Sequence, residues 1–551
     1  DKTCYPIASC NLRDFYNLID VYIDAVFHPR IDEDIFRQEG WHVEAETPDG
    51  PWSYKGVVYN EMKGVYSSPD SVLAEQSQQA LFPDTLYSLD SGGNPENIPD
   101  LTYEAFYDFH SRYYHPSNAR FFFWGDDPED ERLRLTAAAL EGYTARPVNS
   151  DVPLQPRLET PRQIEVAYAA SKGEKRALFT VNWLLGERGD VHQALLMEML
   201  EHILEGLPGS PLRKALIASG LGEDTTGCGL ETDLRQMYYS TGLKGVAPRD
   251  VQQAELADEG IPRSAVEAAV NSVEFAYREN NSGRFPRGLS AMVQSLTTWL
   301  YDGDPLAPLA WEAPLNALKA RIEAGEPVFE QAIKDWFLNN EHRATVVLLP
   351  DTKLGKARED AEKARVDAVQ AAADAEARAR MVEETTRLME AQSAPDSPEA
   401  LATIPALGIE DLPRENALLP RAIAELPETF FTHELPTQGI AYTTLLLPLV
   451  NVPDRLVPLL PLFARSLTET GTAKRDFTEL GALMAAKTGG LGAETLVGLV
   501  RGSRKTFGYL GVSGKAVYDK LPDLFALTRE ILLEPLTDAD VLRERLGQML
   551  L

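Results

Sequence analysis

The 551-residue sequence predicts an α+β protein: tandem homologous units, each a sheet with helices on one face, joined by a long helical hairpin. Three observations predict it. The stretch FYNLIDVYIDAVFHPRIDEDIFR (15–37) recurs near the other end as LFALTREILLEPLTDADVLR (524–543). An offset of 506 sets Pro29 on Pro535, Asp34 on Asp540 and Arg37 on Arg543, so one helix–Pro stop–helix unit occurs twice. Segments 106–126 and 329–351 both read as helix, short break, strand. Residues 353–396 are Ala-rich and charged, with strong helix formers and no Gly after Gly355.

The elements follow in chain order. CYPIASC (4–10) reads as a strand. Asn11 caps the next helix, with Asp14 at the capping-box position; Phe15, Leu18, Ile19, Tyr22, Ile23 and Val26 form its apolar stripe, and His28-Pro29 ends it. Helices are expected over about 54–66 and over 101–110, and a strand over NARFFFWGD (118–126). A Pro-rich, charged loop runs to about 162. QIEVAYAA and RALFTVNWLL then read as strands and VHQALLMEMLEHILEG as a helix. The Ala-rich segment reads as helices that touch the units chiefly near Met381 and Leu388; a disordered charged linker is the alternative. GIAYTTLLLPL reads as a strand and residues around 455–470 as a helix. The expected boundaries are 1–155, 160–352, 353–420 and 421–551. The repeat at the end leads us to expect a piece of a longer duplicated protein, cut at both ends.

Hydrophobic residues make up 44% and charged residues 25%, ordinary for a globular protein. The 84 acidic residues against 53 Lys and Arg, a formal charge of -31, argue against nucleic acid and anionic membrane surfaces as partners. That balance suits a protein that receives basic peptides; a generally solubilising surface is the plainer explanation. No apolar run reaches membrane-spanning length. Cys4, Cys10 and Cys228 form no disulfide framework and no Cys-x-x-Cys, and read as free thiols.

The stretch VVYNEMKGVYSSPD (57–70) carries the candidate site residue. Tyr54, Val57, Val58, Met62 and Val65 fall at helical spacing, and Glu61 lies on the same stripe. An unpaired buried carboxylate costs several kcal/mol. Three explanations are open: a partner Arg or Lys or exposure at the stripe's edge, a metal ion, or acid–base work with a raised pKa.

With these residues in view, a family resemblance is clear. VVYNEMKGVYSSPD, LDSGGNPENIPDLTYEAFYDFHSRYYHPSNARFFFWG and residues 1–29 resemble the first domain of pitrilysin-type (M16) zinc metallopeptidases, in the presequence protease branch. GSPLRKALIASGLGEDTTG and FPRGL resemble the second domain, the Ala-rich helices the hinge, and PTQGIAYTTLLLPLVNVPDRLVPLLPLFARSLTETGT the third. The resemblance implies four homologous α+β domains whose halves close around unfolded peptides. It implies one zinc ion, held by two His of an H-x-x-E-H helix and by Glu61. It also implies a monomer, in the cytoplasm of a bacterium or an organelle matrix of a eukaryote.

The sequence departs from the pattern: H-x-x-E-H occurs nowhere in it. Two zinc ligands, the general base, the edge strand that pairs with substrate and the fourth domain are expected to lie outside it. EMLEH (198–202) is one substitution from the motif, but its helix carries no metal in the family, and it reads as an ion-paired or solvated face. His110 and His115 read as structural. Two functions remain: a zinc endopeptidase for unfolded peptides, of which this chain is an inactive piece, or a non-catalytic scaffold or chamber subunit of the same fold.

Overall fold

The computed structural model describes residues 2–174, 176–206, 210–247, 263–425 and 429–550, the side chains at 425, 544–546 and 548–550 excepted. Gly209, residues 426–428 and Leu551, which the sequence reading assigned to the second and third units, lie outside that set.

The second unit is built on a five-stranded sheet in the order β3-β7-β4-β6-β5. Its strands are β3 (Arg162–Ala169), β4 (Ala177–Glu187), β5 (Asp224–Glu231), β6 (Gln236–Val246) and β7 (Arg343–Asp351). β3 runs parallel to β7 and the other pairs are antiparallel, with Phe179 of β4 between Leu243 and Val347. Side chains alternate between the two faces of a strand. Phe179, Trp183, Leu185, Tyr239 and Val347 pack on the unit's own helix Val191–Leu204, through Leu195, Met199 and Ile203. Leu178, Leu184, Tyr238, Val346 and Leu348 face the other way and meet Val72, Leu73, Ala80 and Leu81 of helix Pro69–Leu81. That helix belongs to the first unit, so the sheet has helices on both faces, one set borrowed.

The third unit repeats part of this plan. β10 (Ile440–Pro448), β11 (Gly490–Leu499) and β12 (Thr506–Val517) form an antiparallel sheet in the order β10-β12-β11. Helices Leu460–Glu469, Phe477–Lys487 and Leu521–Leu533 pack on it through Ala464, Leu467, Leu480 and Leu527. Two short antiparallel strands, β8 (Ala422–Glu425) and β9 (Thr429–Thr432), precede it.

The first unit departs from expectation. Its regular strands among the described residues are the hairpin β1 (His42–Ala45) and β2 (Trp52–Lys55). The segments read as strands, 4–10 and 118–126, carry no ladder. The repeat offset sets residues 2–9 on 508–515 of β12, which is flanked by β10 and β11. Residues 2–9 have no such neighbours among the described residues, and β-structure needs a partner for its N–H and C=O groups.

The Ala-rich segment forms two helices, Leu354–Ala372 and Ala375–Ser393. They dock along their length on the first unit, beyond the two contact points expected. Val366, 2% exposed, joins a core with Trp52, Tyr54, Tyr59 and Met62. Gln370 donates to the Gly50 carbonyl at 2.8 Å and Thr385 accepts from the Ala45 amide at 3.1 Å. Ion pairs line the seam: Arg358–Glu96, Glu362–Lys63, Arg365–Asp100, Arg378–Asp49, Glu384–Arg37 and Arg387–Asp34. Exposed pairs of this kind contribute about 0–1 kcal/mol each, so the buried contacts decide the docking. Val366→Ala should therefore cost about 1–3 kcal/mol and speed amide exchange in both hairpin helices. Unchanged exchange there would mean that helix propensity alone holds the hairpin.

Candidate metal-ligand helix and an adjoining cavity

The helix that carries Glu61 spans Val57–Val65, later in its start than the sequence suggested, because β2 takes up Trp52–Lys55. Gly56 makes the turn between them at φ +144°; a Cβ there would overlap the Gly40 carbonyl oxygen, so the position requires glycine. Tyr59 and Met62 are buried against Trp52, Tyr54, Ile98 and Val366. Lys63 reaches Glu362 of the hairpin at 2.7 Å.

The apolar stripe is split, and here the sequence reading is corrected: Tyr54 and Met62 are buried, whereas the three valines face away from the core. Val57, Val58 and Val65 are 52%, 38% and 39% exposed, and Glu61 is exposed among them. Periodicity grouped these residues on one stripe, but the core takes the side of Met62 and Tyr59 and leaves the valines outside. Among the described residues no Arg, Lys or other donor reaches the Glu61 carboxylate. No group of three His, Cys, Asp or Glu side chains among the described residues could hold a metal ion. Glu61 fits a zinc site as one oxygen ligand and cannot make such a site alone.

The two glutamates of the E-x-x-E-H segment are in use. Glu198 accepts from the Tyr277 hydroxyl at 2.6 Å and pairs with the buried Arg188 at 3.2 Å. Glu201 accepts from the Leu230 amide, and burial pushes its pKa up. Burial pushes the His202 imidazole down. His110 stacks on Tyr114 at 4.3 Å, and the His115 ring accepts from the Ser117 amide, so both are structural. Cys4, Cys10 and Cys228 are free thiols.

A cavity of about 1630 Å³ opens between the first and second units. Residues 2–9 and 119–124 line it, with Ile19 and Ile23 of helix Leu12–Phe27 on one side and Glu75, Asp90 and Tyr87 on another. Glu61 does not line it. Sequence reasoning missed Glu75. The Tyr66 hydroxyl donates to it at 2.5 Å and Gln79 at 2.8 Å, and burial raises its pKa. A signal was available: Ser68-Pro69 starts a new helix, which turns Glu75 back toward Tyr66 at the end of the Glu61 helix.

Comparison with known proteins assigns the class. Residues 100–272 match the model of the peptidase M16 inactive domain, and residues 348–551 that of the domain associated with subfamily C of the M16 peptidases. The chain belongs to the M16 peptidase family. It is similar to presequence protease 1 of Arabidopsis thaliana, chloroplastic/mitochondrial, at 42% identity over 97% of this chain and 51% of that protein. It is 33% identical to Protein HypA of Clostridium perfringens over 96% of this chain and 56% of that one. The chain thus spans about half the length of the curated relatives it matches. Of solved structures, pitrilysin is 14% identical with a TM-score of 0.43, covering 97% of this chain and 54% of that one. No helix among the described residues is long and apolar enough to cross a membrane.

Glu75 yields a prediction. Its folded pKa lies above the unfolded value, so its contribution to stability is full below the unfolded pKa, about 4.3, and is lost as pH rises through the folded pKa. Glu75→Gln removes that loss and keeps an acceptor for Tyr66. The melting temperature of the variant minus that of wild type should grow between about pH 3.5 and pH 7.5. A difference that stays flat would show that burial does not hold this carboxyl up.

Proposed function

We propose that this chain is part of a zinc endopeptidase that degrades unfolded peptides, presequences among them, and that Glu61 is one of its metal ligands. The observation that carries the reading is the Glu61 carboxylate, unpaired and exposed on a helix held from behind by Tyr59, Met62 and Val366. The identity to presequence protease 1 of Arabidopsis thaliana supports it. The other ligands and the general base, expected in an H-x-x-E-H helix, come from polypeptide outside these 551 residues. The full-length protein works as a monomer in an aqueous compartment, without nucleic acid or membrane as partner.

In this reading a bound zinc lowers the pKa of its water toward about 7 and supplies the nucleophile. The chain's own part is positional. Met62 and Tyr59 fix the helix axis, and Lys63 ties it to Glu362 on the hairpin, so the backbone that carries Glu61 is held in place. Val57, Val58 and Val65 keep water from the covered face once it is packed.

A second reading is a non-catalytic scaffold of the same fold. It is favoured by the inactive-domain match over 100–272. One experiment separates the two. In the full-length protein, Glu61→Gln should deplete bound zinc and lower cleavage of an unstructured basic peptide by more than the roughly 10–100-fold that losing an outer partner costs. The 551-residue chain alone should neither bind zinc tightly nor cleave. Full zinc content and activity in the variant would leave Glu61 a bystander; a full-length protein without zinc or activity would establish the scaffold.

A further inference from the structure

The second and third units meet along one stripe of helix Arg263–Glu279. Asn271, Phe275 and Glu279, at i, i+4 and i+8, share a face of that helix. Each has a specific partner more than 160 residues away. Asn271 donates its amide to the Ala485 carbonyl at 2.6 Å and to the Thr488 carbonyl at 2.9 Å. These close the C-terminus of helix Phe477–Lys487, whose last carbonyls have no partner within the helix. Lys520 completes the cap, donating to Asn271 Oδ1 at 2.5 Å and to the Ala486 carbonyl at 2.9 Å, with its positive charge at the negative end of the helix. Thus a side chain of the second unit caps a helix of the third.

The other two contacts are as particular. Phe275 lies flat against Gly489, where a Cβ would overlap the ring. Glu279, its side chain 9% exposed, receives Lys515 Nζ at 2.7 Å on both carboxylate oxygens and the Tyr442 hydroxyl at 2.9 Å. Tyr442 and Lys515 are cross-strand neighbours of β10 and β12, so the docking patch spans an edge strand and the central strand of the third sheet. Lys515 also sits over the Phe275 ring at 5.4 Å.

Such an interface differs in kind from the one joining the first two units. Beside the packing of helix Arg263–Glu279 on helix Phe477–Lys487, it buries one aromatic ring and a set of charged and amide groups. On separation every polar group regains water, so opening costs far less than parting an apolar core would. Polar interfaces between domains allow relative motion by default. The covalent route to the third unit also allows it. Asp411 is pinned to Arg13 at 2.7 Å and to Asn11, but residues 412–421 are all exposed, with Pro413 and Pro420 among them.

We propose that Asn271, Phe275 and Glu279 form a reversible clasp that holds the third unit against the second, with residues 412–421 as its tether. The partner it recognises is the third unit's own surface: the capped end of helix Phe477–Lys487, Gly489 and Lys515. The clasp does not require Glu61 to bind metal. Only its use, to open a chamber for an unfolded peptide, rests on the function proposed above.

Charge exchange across the Glu279–Lys515 pair tests the clasp in the 551-residue chain. Small-angle scattering reads the radius of gyration, and hydrogen exchange reads the amides at 486–490. Glu279→Lys should enlarge the particle and speed that exchange on the order of a hundredfold, while β4 and β6 stay protected. Adding Lys515→Glu should restore both readouts. Gly489→Ala, which alters no charge, should open the contact independently. A radius and exchange unchanged in both Glu279→Lys and Gly489→Ala would overturn the clasp. So would a double exchange that fails to restore closure while Gly489→Ala leaves the particle closed.

Discussion

The architecture depends on covering both faces of the second unit's sheet. Strand β4 carries apolar residues almost without interruption, ALFTVNWLL, and a strand of that kind is stable only with packing on each side. Its own helices supply one cover. The other comes from helix Pro69–Leu81, and the seam is fixed by direction as well as by area: Ser77 and Thr180 share a hydrogen bond at 2.8 Å, and the His342 ring meets the Leu81 carbonyl at 2.8 Å. Burial of Leu178, Leu184, Val346 and Leu348 against Leu73 and Leu81 is worth about 1.5–3 kcal/mol for each fully covered side chain. Two units joined in this way move together. Because helix Val57–Val65 leads directly into helix Pro69–Leu81 through a short turn, the position of Glu61 follows from the packing of the second unit.

The hairpin extends the same logic. It bridges the units in sequence, yet in space it is part of the first: Val366 lies in the core that also holds Met62, one residue from Glu61. Freedom then falls beyond the hairpin, in residues 412–421, and the contact that opposes it is polar. A core and a clasp thus divide the molecule into a body of first unit, hairpin and second unit, and a third unit held by directional bonds. The contrast follows from chemistry. Apolar seams such as that of Leu81 cannot open without exposing large area to water, whereas Asn271, Glu279, Lys515 and Lys520 exchange protein partners for water at modest cost.

Much of this was legible in the sequence because the signals are local. Asn11 accepts from the Arg13 and Asp14 amides as a cap should, and strands β3, β4, β7 and β10 fall close to where their composition placed them. The Ala-rich helices formed for reasons of propensity. What could not be read is what depends on distant partners. CYPIASC has strand composition and no ladder, because pairing is a property of two segments. The Val57–Val65 stripe was visible, but periodicity cannot tell which face the core will claim. Two covers for β4 were implied by its unbroken apolar run, a signal that was present and passed over. The clasp left no trace, since one Asn and one Glu on an amphipathic helix look like any solvated positions, and their partners lie 163 or more residues away.

The exposed valines sharpen the question that Glu61 posed. As it stands the carboxylate is in water and needs no compensation. The face around it, however, is apolar, and Val57, Val58 and Val65 gain free energy only when something covers them. Any cover that packs on them also packs on Glu61 and strips its hydration. Dehydrating an ionised carboxylate without a counter-charge costs more than three valines can return. Unless the carboxyl takes up a proton, the covering surface must bring positive charge to Glu61 as it packs, as a metal ion held by its own ligands or as a guanidinium. Of the two, an arginine would make a buried ion pair on a helix that already has Tyr59 and Met62 to hold it in place, and would add nothing that those residues do not supply. A metal ion brings positive charge as well, and gives the carboxylate itself a use as an oxygen ligand on a helix that Met62 and Lys63 hold in place. That use is the physical ground for reading Glu61 as a ligand.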